Sequence, residues 1–122
     1  MKPLIFAAGI SGFGAVALGA FGAHGLSLSP EASAWWDTAS LYFLVHSVGA
    51  LFAGIGRMRA AGWAFIIGSL FFAGSLYLMA LGGPRVLGAI TPIGGVSYLV
   101  GWALIALNGL RKANADGEET AQ

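Results

Sequence analysis

Four apolar runs of about twenty residues divide this chain, at residues 3–23, 36–55, 63–81 and 92–110. That is the length an α-helix needs to cross the hydrocarbon of a bilayer. Three of the runs carry no charge, and the second carries only Asp37. Backbone N–H and C=O groups in hydrocarbon find no water, so each run must satisfy its own groups, as a helix does. The prediction is an all-α fold: an integral membrane four-helix bundle occupying residues 1–112 as one domain. Residues 113–122 read as a polar, disordered tail.

Composition agrees. Charged residues make up 9% of the chain, against about 25% in a soluble domain, too few to cover a water-facing surface. The net charge of +1 offers no basic field, so nucleic acid is not an expected partner. The absence of cysteine excludes disulfides, thiolate nucleophiles and cysteine metal sites. The first run exceeds a signal-peptide core in length and is expected to remain as a helix. Lys2, Arg57, Arg59, Arg111 and Lys112 fall at one end of a four-span arrangement, and only Arg85 at the other. Positive residues stay in the cytoplasm, which puts both termini inside a plasma (inner) membrane.

Lipid supplies no hydrophobic force between helices, so small residues that admit close packing must hold them together. The chain has 20 glycines. Gly12 and Gly19, on a stripe with Ala8, Ala15 and Gly22, and Gly94 and Gly101 in the fourth run, are the expected packing positions.

The second run places Tyr42, His46, Gly49 and Ala53 on one helical face, and Asp37 with Leu41, Leu44 and Val48 on the opposite one. His46 therefore points into the bundle near the bilayer midplane, where an ionisable residue is by default a functional candidate. A hydroxyl from Tyr42, Tyr77, Tyr98 or Ser97 is its expected partner. Tyr42, Tyr77 and Tyr98, with Thr38 and Ser97, enrich the outer half in polar groups. They suggest an outward-facing polar pocket floored by His46. His24 and Asp37 sit at helix ends, where charges meet the helix dipole, and read as interfacial. The two histidines differ in depth, which argues against a haem held between them.

Several strings together resemble the domain-of-unknown-function family 423, small multi-span proteins of bacterial membranes with relatives in animal cells. They are Gly19-Ala20-Phe21-Gly22-Ala23-His24-Gly25-Leu26, Trp36-Asp37-Thr38-Ala39 with Tyr42 and His46, Gly74-Ser75-Leu76-Tyr77, and Thr91-Pro92-Ile93-Gly94-Gly95 with Gly101-Trp102. The resemblance implies four spans and a membrane location, and brings no activity with it.

No acid–base pair shares one depth, no metal-ligand cluster appears, and no nucleophile stands beside a base, so an enzyme is not expected and no cofactor is implied. The sequence favours a non-enzymatic subunit, assembly factor or lipid-associated protein. Its partners would be membrane lipid, a second copy of the chain or a larger membrane complex. The alternative is a transporter or channel for a small solute or proton, using the His46 pocket.

Overall fold

The computed structural model describes residues 2–121. It contains α1 (Lys2–His24), α2 (Pro30–Ile55), α3 (Arg59–Ala80), a short 3-10 helix (Arg85–Ala89) and α4 (Thr91–Ala121), with no strand among the described residues. All four long helices are apolar enough to cross a membrane.

Three boundaries differ from the apolar runs, those of α2 and α4 for a local reason. Helix α2 begins at Pro30, six residues before Trp36. The Ser29 hydroxyl accepts the Ala32 N–H at 3.2 Å, and Pro30 and Glu31 follow in the first turn, where a fixed φ and a negative charge both favour a helix start. Helix α3 begins at Arg59 rather than Trp63. Helix α4 does not stop at Leu110 but continues to Ala121. The segment read as a disordered tail is therefore helical through residue 121. Its sequence, Arg111-Lys112-Ala113-Asn114-Ala115, is rich in strong helix formers, and the preceding span supplies a nucleated helix to extend.

Two helices end in the same hydrogen-bonded device. At the end of α3, Gly83 N–H reaches Leu78 C=O at 2.8 Å and Gly82 N–H reaches Met79 C=O at 3.1 Å, with Gly82 at φ +102°. This is a Schellman motif, whose left-handed residue is normally glycine. At the end of α2, Met58 N–H bonds Ala53 C=O at 2.8 Å and Arg57 N–H bonds Gly54 C=O at 3.4 Å. There the left-handed residue is Arg57, at φ +60°, a conformation that disfavours a side chain.

Helix α3 is the hub. It packs along α2 on one side and α4 on the other, while α1 packs on α2 and only grazes α3. A recurring device is a large buried side chain seated in a socket that a glycine opens. Phe65, fully buried, lies against Gly49 of α2 and Gly101 of α4; a Cβ at either glycine would stand 3.0 and 2.5 Å from its ring. Leu4 fills the space beside Gly54 and Gly62, Trp36 beside Gly22, and Tyr98 beside Gly68. At Gly94 a Cβ would overlap the backbone of Phe72 and Gly68, so α3 and α4 touch main chain to main chain there. Gly94 and Gly101 thus occupy the packing positions their spacing implied. Gly12 and Gly19 do not: a Cβ at either would meet no atom within 4 Å. The contact face of α1 runs instead through Leu4, Ala8 and Ala15, all buried, and Gly22.

Candidate functional site

His46 lies inside the bundle, 4% exposed. It stands nine residues before the end of α2, or about 14 Å along the axis, close to the midplane of the span. Its Nδ1–H donates to the Tyr42 carbonyl at 2.7 Å, one turn back on the same helix. Its Nε2 accepts the indole N–H of Trp102 on α4 at 3.0 Å. A carbonyl can only accept and an indole N–H can only donate, so the ring is the neutral tautomer with its proton on Nδ1. The ring stacks on Tyr98 with centroids 3.5 Å apart and planes 7° apart, and meets Phe65 edge-on at 5.3 Å. Both nitrogens are occupied and one face is covered by Tyr98.

Of the other residues read as one pocket, Tyr42 and Tyr98 stay beside His46, their rings stacked 6.4 Å apart, but the remaining polar groups go to separate partners. Tyr98 shares a hydrogen bond with Ser69 at 2.8 Å, and Tyr77 one with Ser40 at 2.8 Å. Ser97 donates to the Ala64 carbonyl at 2.7 Å, tying α4 to the second turn of α3. Tyr42 is exposed, its ring against Phe72 at 4.8 Å, and Thr38 is exposed on the surface of α2. The cleft beside His46 is lined by Leu41, Tyr42 and Val45 and is almost wholly apolar. These side chains bind helix to helix, and the structure does not gather them around a polar cavity. No buried side-chain nitrogen or oxygen among the described residues lacks a partner.

At the other polar positions, His24 and Asp37 are exposed. The charged contact at that end joins Arg85 to Glu31, with the Arg85 guanidinium 5.5 Å from the Trp35 ring. Among the described residues no three His, Asp or Glu side chains stand close enough to hold a metal.

Two tryptophans supply what the polar-residue count passed over. Trp102 satisfies His46, and Trp36 donates its indole N–H to the Leu18 carbonyl of α1 at 2.8 Å. Tyr98 and Trp102 are four residues apart, one helical turn, so the stack and the hydrogen bond reach His46 from one face of α4. That spacing was the available signal.

The chain matches the family described as Protein of unknown function (DUF423) over residues 18–95. The chain belongs to this family. The matched stretch runs from the end of α1 into the first turn of α4 and includes His46, Tyr77 and both Schellman turns. A UPF0382 membrane protein of Staphylococcus epidermidis is 40% identical over 121 residues, covering 93% of this chain and 99% of that one. The UPF0382 inner membrane protein YgdD of Escherichia coli is 42% identical over 117 residues, covering 88% of each. The UPF0382 membrane protein YwdK of Bacillus subtilis is 37% identical, over 88% of this chain and 95% of that one. No solved structure matches. With four spanning helices and relatives of this kind along its length, the DUF423 chain is a multi-pass protein of the plasma membrane.

Proposed function

We propose that this DUF423 protein works by association inside the membrane, as a non-enzymatic subunit or assembly partner of a second membrane-embedded chain. The observation that carries the reading is the uncovered state of α1. Only Leu4, Ala8 and Ala15 of its 23 residues are buried. Gly9, Gly12 and Gly19 face open space, flanked by Phe6, Phe13 and Val16 at 71%, 78% and 62% exposure. Small residues that let backbones approach, edged by large apolar ones, are the composition of helix–helix contacts in membranes.

The interior supports the same reading from the other side. Among the described residues its buried polar side-chain groups are all hydrogen-bonded, as a packed helix–helix interior would have them. A lateral groove of about 370 Å³ between α1, α2 and α3, lined by Ser11, Gly14, Phe43, Gly74 and Tyr77 among others, adds a second surface of the right polarity. We further propose that both termini face the cytoplasm. Lys2, Arg57, Arg59, Arg111 and Lys112 share one end of the helices and Arg85 lies at the other, the bias that sets orientation during insertion.

The test uses the chain's lack of cysteine. Gly12→Cys on the open face, oxidised in native membranes, should form a disulfide-linked or bifunctionally cross-linked species of fixed mass. Leu107→Cys, on the exposed side of α4, serves as comparison. Equal, diffuse cross-linking from both positions would remove the support for α1 as the associating face.

A further inference from the structure

The end of the bundle opposite Arg85 holds a feature that α1 association does not use. A recess of about 180 Å³ lies between the α2–α3 turn, the start of α3 and the side of α4. Arg57, Arg59 and Arg111 line it together with Asn108, Met58 and Leu104. Leu104, Asn108 and Arg111 recur at helical spacing, so one stripe of α4 faces the turn. None of the three arginines forms an ion pair; among the described residues the charged pair is Arg85 with Glu31. The acidic residues nearest in sequence, Asp116, Glu118 and Glu119, lie further along α4 and do not pair with them.

We infer that this recess binds the phosphate of an anionic phospholipid headgroup. Three observations converge. The first is charge: three arginines line one small recess, an anion between them would offset their mutual repulsion, and the planar fork of arginine matches phosphate oxygens. The second is level. The recess stands where the apolar run of α3 begins, with Trp63 its first residue, and where that of α4 ends, at the depth of a leaflet's headgroups. Basic pockets between spanning helices take acidic headgroups at this level. The third is the Arg57 backbone. The Schellman position at φ +60° suits glycine, yet arginine holds it and turns its side chain to the recess at a cost in conformational energy. Helix α3 adds to the field, because its N-cap Met58 gives no side-chain hydrogen bond and leaves the first N–H groups directed at this end.

The experiment titrates the detergent-purified full chain with phosphatidylglycerol, with phosphatidylcholine and with inorganic phosphate, reading thermal unfolding and lipid adducts by native mass spectrometry. Phosphatidylglycerol should raise the melting temperature and survive as an adduct. Phosphatidylcholine and millimolar phosphate should do neither. Arg59→Gln and Arg111→Gln should each weaken phosphatidylglycerol binding by about five-fold, the share of one juxtamembrane cation. Arg85→Gln at the opposite end should leave it unchanged. Arg57→Gly is the sharpest variant: it should raise the melting temperature without lipid and lower the affinity for phosphatidylglycerol. Equal stabilisation by phosphatidylcholine, or full affinity in Arg59→Gln and Arg111→Gln, would overturn the proposal. Stabilisation by inorganic phosphate at the same concentration would assign the recess to a soluble anion instead and overturn the lipid assignment. Cross-linking through α1 is untouched by any of these outcomes.

Discussion

Replacing Trp102 with Phe isolates the contact that fixes His46. The substitution keeps an aromatic ring beside Phe65, whose centroid lies 4.8 Å from that of Trp102. It removes the one donor that reaches His46 Nε2. A buried acceptor left without a partner costs about 1–3 kcal/mol in a water-soluble core. Within a membrane the measured coupling between helices is smaller, about 0.6 kcal/mol on average and about 1.7 at most, because the unfolded chain in lipid also finds partners. His46→Phe removes both of the ring's hydrogen bonds but retains a flat ring to stack on Tyr98. The expected result for Trp102→Phe is destabilisation of about 1–2 kcal/mol. The double variant should be less destabilised than the sum of the singles by about 0.6–1.7 kcal/mol. Unfolding in mixed micelles by sodium dodecyl sulfate measures all four corners of the cycle. Histidine ¹⁵N shifts should show a neutral ring protonated at Nδ1 in the parent. Strict additivity, or an Nε2-protonated ring, would refute the assigned hydrogen bond.

Further consequences follow from the glycine sockets and the termini. Gly94→Leu should block assembly of the bundle, since the added atoms meet the backbone of Phe72 and Gly68 rather than a movable side chain; loss of a monodisperse peak in mild detergent reads this out. Gly12→Leu should fold and elute as the parent does at the level of the single chain, because no atom stands within 4 Å of its Cβ direction. Gly82→Ala should cost about 1 kcal/mol or more through its φ of +102°, seen as a lower melting temperature. Met58→Cys in intact cells should resist a membrane-impermeant thiol reagent, as cytoplasmic placement of the α2–α3 turn requires.

The spans were legible because hydrocarbon imposes a length and a polarity that little else imitates. The helix limits were less so. Helices α2, α3 and α4 run past the apolar runs into water, where capping by Ser29 and the helix propensity of residues 111–121 decide, not hydropathy. The inward direction of His46 followed from its position on α2. Its partner did not: Trp102 counts among the hydrophobic residues, and its single N–H enters the reckoning only when α2 and α4 are seen together. The pocket of tyrosines dissolved for a related reason. Sequence gives depth and face on one helix, but whether two hydroxyls meet each other or a shared cavity depends on rotations between helices. Tyr77 with Ser40 and Tyr98 with Ser69 are such pairings. The glycine stripe of α1 misled in part because a glycine can be a socket, as Gly22 is for Trp36, or a bare surface, as Gly12 and Gly19 are. Spacing is the same for both.

Association through that bare surface is tested most directly by the mass of the protein taken from its native membrane in mild detergent. The parent should carry a second chain, its own copy or another membrane protein, in fixed ratio. Gly12→Leu with Gly19→Leu should reduce it to a folded single chain with unchanged thermal unfolding. A parent that is already a single chain, or a complex that survives both substitutions intact, would contradict association through α1.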